Sequence, residues 1–222
     1  LRDAARAEHK AAVLASTSTI DVRLAEPSDI RTIGRFMLSA AAGLYDYLLG
    51  DLVDGLSTSD ILALVIAEEG SAYFYGNALL ASEGGRERGM SLAFPGAELG
   101  LPEAARTLVP SERLAAMDAL IDTADAASLY LNSLAVDPAF GRRGVGRLLL
   151  ETTAAMAVTR GFARMSLHVW TDNAPAMALY RSLGFEVSAL IDMPPSPAFT
   201  HRGPVAAASA DIADVLDQLA RP

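Results

Sequence analysis

Apolar and charged residues alternate along Ile20-Asp21-Val22-Arg23-Leu24, a period of two that predicts a half-buried strand with Ile20, Val22 and Leu24 on its inner face. The period then lengthens. Pro27-Ser28-Asp29 predicts a turn with Ser28 as a helix N-cap, and Ile30, Ile33, Phe36, Met37 and Ala40 recur at helical spacing as far as Gly43. Ser57-Thr58-Ser59-Asp60 is a second cap sequence, followed by the helical stripe Ile61, Leu62, Val65 and Ile66 and ended by Gly70. The apolar runs Ala72-Tyr73-Phe74-Tyr75, Asn77 to Ala81 and Met90 to Phe94 lie about Glu83-Gly84-Gly85 and predict an antiparallel hairpin. Residues 97–125 contain Pro102, Pro110 and a helical stretch over 111–119, and read as an excursion from the sheet, where specificity often resides.

Leu129 to Val136 is nearly apolar throughout, as expected of a central strand covered on both faces. Val145, Leu148, Leu149, Thr152 and Met156 then mark a helix ended by Gly161, and in Ala163 to Trp170 the residues Met165, Leu167 and Val169 alternate with Arg164, Ser166 and His168. Strand, crossover helix and strand predict a parallel βαβ unit. Asn173 caps the next helix, Pro175 fits its first turn, Met177, Tyr180 and Leu183 form its inner face, and Gly184 closes it. Phe185 to Met193 predicts a strand, a short last strand falls near Val205, and Ile212, Val215, Leu216 and Leu219 give a terminal amphipathic helix. The expectation is an α/β (α+β) fold, with residues 1–19 a loosely packed N-terminal extension and residues 20–222 a single domain.

With 51% hydrophobic and 20% charged residues the chain has ample apolar surface to fold. No run approaches the roughly 20 apolar residues of a membrane span, and residues 1–19 lack the apolar region of a signal peptide, so a soluble, cytoplasmic protein with no membrane partner is expected. The absence of cysteine and the wide spacing of His9, His168 and His201 predict no metal site. A net charge of −9 argues against nucleic acid. Its distribution is uneven. Asp46, Asp51, Asp54, Asp60, Glu68, Glu69 and Glu83 fall between Arg35 and Arg86 with no intervening Lys or Arg, which reads either as a solvated face or as the binding side for a cationic ligand. Arg142, Arg143 and Arg147 cluster instead within six positions.

Gly144, Val145 and Gly146, between a strand and the first turn of a helix, let the backbone approach a ligand and leave amide N–H groups for an anion such as pyrophosphate. Such a turn serves tight packing equally well. A P-loop would need a Gly-Lys-Ser/Thr end, and a dinucleotide fingerprint would need a third glycine where Leu149 stands. Val136-Asp137-Pro138 running into Gly144-Val145-Gly146, together with Asn173-Ala174-Pro175-Ala176-Met177-Ala178-Leu179-Tyr180 leading to Gly184-Phe185, resembles the GCN5-related N-acetyltransferase (GNAT) superfamily, most strongly over residues 129–187.

The resemblance implies a mixed, mostly antiparallel sheet whose central parallel pair is splayed around acetyl-CoA. It implies that the backbone of Leu134, Ala135 and Val136 pairs with the pantetheine arm, that Arg142, Arg143, Gly144, Val145, Gly146 and Arg147 cradle the phosphates, that Asn173 contacts the pantetheine, and that Tyr180 is the general acid. Gly141 stands where the family usually has Arg or Gln. The implied activity is direct transfer of acetyl from acetyl-CoA, without a metal, to a small-molecule or peptide amine, with a homodimer as the candidate assembly. The acidic interval suggests a cationic acceptor. A non-catalytic acyl-CoA-binding module is the alternative. The general base is not legible: Glu68, Glu69, Glu83, Asp137 and Glu151 carry no distinguishing signal, and His168 fits either solvent or the cleft.

Overall fold

The computed structural model describes residues 20–221, so the proposed extension over residues 1–19 lies outside the described residues. Seven strands form one sheet in the order β1-β2-β3-β4-β5-β7-β6. They are β1 (Asp21–Leu24), β2 (Ala78–Glu83), β3 (Arg86–Pro95), β4 (Leu129–Val136), β5 (Arg164–Trp170), β6 (Glu186–Ile191) and β7 (Val205–Asp211). Every neighbouring pair is antiparallel except β4 and β5, as the strand-helix-strand pattern predicts.

Helices cover both faces of the sheet. Helices α1 (Ile30–Ala40), α2 (Leu44–Leu49), α3 (Thr58–Ala67), the short α4 (Glu103–Arg106) and α5 (Ser111–Thr123) contribute Ile33, Leu48, Leu62, Ala105 and Met117 to a core with Leu80, Met90, Phe94 and Tyr130. On the other face α6 (Val145–Thr159), α7 (Ala174–Ser182) and α8 (Ile212–Ala220) bring Leu150, Ala154, Met177 and Val215 against Leu131, Leu167 and Ala208. Odd and even residues of the central strands therefore face different helices, and β4 is buried on both sides as its apolar run requires.

Several local expectations are corrected. Leu24 is 54% exposed, because β1 is an edge strand that ends as it leaves the core. Ser28 is not the first cap: Glu26 and Asp29 form a reciprocal capping box, and Asp29 is buried against Arg23 at 2.6 Å. That guanidinium, then the Glu26 N–H, holds the Asp29 carboxyl below its ordinary range against the opposing effect of burial. Ser57 does cap α3 with Asp60 as predicted. Residues 72–75 lie outside the sheet, since Ser71 and Phe74 turn the chain and Tyr73 is drawn into the core beside Phe94. The buried stripe of α6 is Leu149, Leu150, Thr153, Ala154 and Ala157, rotated from the predicted one, and Leu148, Thr152 and Met156 are only half-buried. The last strand spans seven residues and inserts between β5 and β6.

Candidate active site

The parallel pairing of β4 with β5 is short. It is registered only at Leu129 with Met165 and Tyr130 with Ser166, after which the strands diverge. The cause lies on the other edge of β4, where Asn132 is an extra residue: Leu92 pairs with Ser133 and Ala93 with Leu131. Such a bulge bends its strand and increases its twist. Beyond it β4 stays with β3, and the Asp137 N–H donates to the Arg88 carbonyl at 2.7 Å. Backbone groups alternate in direction along an antiparallel pair, so Leu134 and Val136 turn theirs away from β3, to the side where β5 is no longer paired.

A cleft of about 550 Å³ opens there, lined by Leu134, Val136, Arg142, Gly144, Gly146, Arg147, Asn173 and Tyr180 among others. Its floor is the start of α6. Arg142 and Gly144 take positive φ values of 60° and 83°, which reverses the chain into the helix. The N–H groups of Val145, Gly146 and Arg147 have no intrahelical acceptors, since the first bond of the turn runs from Leu148 to the Gly144 carbonyl at 2.9 Å. A Cβ on Gly146 would enter this space beside Val136, 3.5 Å from its Cγ2. The helix is pressed onto the sheet at Gly89, where a Cβ would lie 2.9 to 3.0 Å from the Ala135 carbonyl and the Leu149 and Val145 side chains. Gly89 carried no signal in the sequence beyond being a glycine in a strand.

The arginines have separate partners. Arg142 is exposed and lines the cleft. Arg143 does not line it; its guanidinium pairs with the buried Glu83 at 3.0 Å and lies over Phe140. Arg147 reaches the carbonyls of Gln218, Leu219 and Arg221 and so caps the end of α8. Arg88, stacked over Phe140 at 3.8 Å and 3.6 Å from Asp137, braces the turn from below. Ala135 is buried against the opposite core, so only its backbone is close to the cleft.

On the wall formed by α7, Asn173 caps the helix by accepting from the Ala176 N–H at 3.3 Å. Tyr180 points inward with its ring edge-on to Phe185, and burial pushes its phenol above the ordinary range, so it stays protonated at any physiological pH. No hydrogen-bond partner for its hydroxyl is found among the described residues.

A smaller cavity of about 80 Å³ lies where Tyr45 of α2 meets Tyr130 and Asn132 of β4 and His168 and Trp170 of β5. Trp170 and Met193 also line an outer groove of about 530 Å³ with Phe199, His201 and the prolines of residues 194–197. Tyr45 donates to Asn132 Oδ1 at 3.0 Å, and the Tyr130 hydroxyl is 2.9 Å from His168 Nδ1. Burial drives His168 down to about 4, and burial, followed by the nearby phenols Tyr45 and Tyr180, drives Tyr130 up. The strand alternation that put Tyr130 with Asn132 and His168 with Trp170 on common faces was visible in the sequence. That the two faces meet was not, because α2 and the bulge bring them together.

The carboxylates proposed to receive a cation are elsewhere. Asp46, Asp51, Asp54, Glu68 and Glu69 are exposed, Asp60 is half-buried and serves its helix cap, and none of them lines these cavities. The interval is therefore not one site: Glu83 is buried against Arg143, Glu68 and Glu69 line a separate groove of about 570 Å³ with Glu98 and Glu103, and Asp46, Asp51 and Asp54 face solvent. Among the described residues, no three His, Asp or Glu side chains gather as metal ligands, and no helix is long and apolar enough to cross a membrane.

The sequence model of the Acetyltransferase (GNAT) family matches residues 112–185, which run from α5 through the splayed strands to the end of α7. Over this third of the chain the sequence carries the GNAT signature. Over 78 residues it is 45% identical to the [Ribosomal protein bS18]-alanine N-acetyltransferase of Salmonella typhimurium, covering 35% of this chain and 51% of that protein. The chain thus spans about half the length of the curated relatives it matches. The GNAT fold extends further than the sequence likeness. An N-acetyltransferase from Staphylococcus aureus Mu50 superposes with a TM-score of 0.62 at 19% identity, covering 86% of this chain and 100% of that one. YncA of Salmonella typhimurium, solved with its cofactor acetyl-CoA, superposes at 0.54 with 19% identity over 87% of this chain and 94% of its own.

Proposed function

We propose that this protein transfers an acetyl group from acetyl-CoA to an amine by direct attack. The observation that carries the reading is the meeting, in one cleft, of an unpaired strand edge, free N–H groups at a helix start and a protonated phenol. Acetyl-CoA supplies an activated thioester. The N–H groups of Val145, Gly146 and Arg147 and the positive end of α6 bind phosphate oxygens, with the Arg142 guanidinium adding charge. Arg143 acts by fixing the turn through Glu83, and Arg147 contributes chiefly its backbone N–H. The open edge at Leu134 and Val136 hydrogen-bonds the pantetheine amides, and the Val136 N–H faces the thioester oxygen as negative charge develops on it. Asn173 holds α7 in place, and Tyr180 donates to the departing sulfur.

The acceptor approaches through the groove at Trp170 and Phe199 into the cavity at Tyr130 and His168. A peptide or protein amine is favoured because the relative with the longest match cited above acts on an alanine of a ribosomal protein. Two measurements test the reading. Acetyl-CoA should raise the melting temperature, and thiol should be released from acetyl-CoA only when a free amine from a peptide and small-amine panel is present. A thermal shift without release from any amine would leave an acyl-CoA-binding module, and neither effect would refute a CoA site.

A further inference from the structure

We propose that Tyr130 and His168 form the proton-accepting relay for the incoming amine, with Thr123 fixing the imidazole tautomer. The inference rests on the acetyltransferase reading and adds the base that the sequence does not reveal.

The hydrogen-bond directions follow from the partners. Thr123 Oγ1 lies 3.0 Å from the Ala119 carbonyl and 3.1 Å from that of Leu120, so its one proton is spent on α5. Its oxygen is also 3.0 Å from His168 Nε2 and can only accept there. Nε2 therefore carries the proton. The imidazole is neutral, and Nδ1 is left with a lone pair, toward which the Tyr130 hydroxyl points at 2.9 Å. Tyr130 donates its only proton to Nδ1, so the remaining phenol lone pairs are the ones that can accept an N–H from a group in the cavity it lines.

When the amine attacks, its N–H proton passes to the Tyr130 oxygen as the Tyr130 proton passes to Nδ1. The N–C bond forms, the C–S bond breaks with its electron pair staying on sulfur, and the sulfur accepts a hydrogen bond from Tyr180. The proton lost by the amine ends on His168, which becomes an imidazolium donating from both nitrogens. It returns to solvent by way of Tyr130 once the products leave.

No carboxylate lines this cavity; its walls are the phenols Tyr45 and Tyr130, the Asn132 amide, His168 and apolar side chains. An ammonium would lose its solvation there without a counter-charge, so the nitrogen enters as the free amine. A peptide α-amine, of pKa about 8, is neutral in a substantial fraction at pH 7.5, and a lysine side chain near 10.4 in about a thousandth. The relay thus selects terminal amines over lysine side chains.

The experiment uses the full chain, acetyl-CoA, an alanine-terminated peptide and an Nα-blocked lysine peptide. Tyr130→Phe and His168→Gly should each lower kcat with the alanine peptide by about 10²-fold or more while leaving acetyl-CoA affinity within about twofold, and added imidazole should restore part of the His168→Gly rate. The lysine peptide should be the poorer substrate by at least tenfold. In the wild-type protein alone, nitrogen NMR of His168 should show Nε2–H with an unprotonated, hydrogen-bond-accepting Nδ1, a result that does not depend on turnover or on how the variants fold. Activity within twofold in Tyr130→Phe, or the Nδ1–H tautomer, would overturn the relay while leaving the acetyltransferase reading intact. Wild-type protein that binds acetyl-CoA and acetylates no amine would overturn both.

Discussion

Tyr130 is a buried phenol and Tyr180 a half-buried one near the splay of β4 and β5, and the proposed mechanism gives them opposite tasks. Tyr180 has no protein acceptor for its proton among the described residues and faces the cleft, which leaves its hydroxyl free for the proposed donation to sulfur. Tyr180→Phe should therefore lower kcat by about ten- to a hundredfold with little change in the binding of acetyl-CoA, read by steady-state kinetics beside calorimetric titration. His168 has a consequence for stability as well. Its folded value near 4 lies below the ordinary 6.5, so between those pH values the unfolded chain binds a proton that the folded chain refuses. Stability consequently falls as pH drops from 6.5 to 4, by on the order of 3 kcal/mol when the window is fully crossed. Melting temperatures of wild type and His168→Gln across this range should converge toward acid pH, because the variant lacks this one contribution; parallel curves would refute it. At Gly141 φ is −56°, open to any residue, and a Cβ would lie 3.4 Å from the Pro138 carbonyl, so Gly141→Arg should be tolerated and tests whether the turn lacks a cation. Since Arg143 is held by Glu83 and Arg147 by α8, the added guanidinium should tighten acetyl-CoA binding severalfold, more at low salt than at high. Unchanged affinity would mean that Arg142 and the helix N–H groups already saturate the site.

At the level of elements, the site is made by a departure from regularity. The bulge at Asn132 turns β4 away from β5, and Gly89 lets α6 settle close enough to β3 for its first N–H groups to face the gap. Gly146→Val should fill that gap beside Val136 and weaken acetyl-CoA by about an order of magnitude or more, with a melting temperature close to wild type because the valine side chain points into open cleft. The strand-helix-strand unit, both glycines of the turn and the cap at Asn173 were legible in the sequence, because each is a local signal: apolar period, glycine spacing, a side-chain acceptor before a helix. The partners of Arg143 and Arg147 were not, since Glu83 and the end of α8 lie 60 and 71 or more positions away along the chain. Nor was the fate of the acidic interval, whose composition fits a ligand site and a wetted face equally; the fold disperses it, with Glu83 buried against Arg143, Asp60 in a helix cap and Asp46, Asp51 and Asp54 turned to solvent.

Across the whole molecule, two helical layers close over a sheet that opens at its centre, with a cleft at the start of α6 on one side and an aromatic groove leading from Trp170 on the other. In the proposed reaction an acyl donor and an amine would enter from these two sides, with no covalent enzyme intermediate. The direct test is mass spectrometry of the protein with acetyl-CoA and an alanine-terminated peptide, reading the acetyl group on both the peptide and the enzyme during turnover. The account predicts acetyl on the peptide nitrogen alone, with the protein unmodified at every time point. An acetylated enzyme that discharges when peptide is added, or a peptide left unmodified while acetyl-CoA is bound, would contradict it.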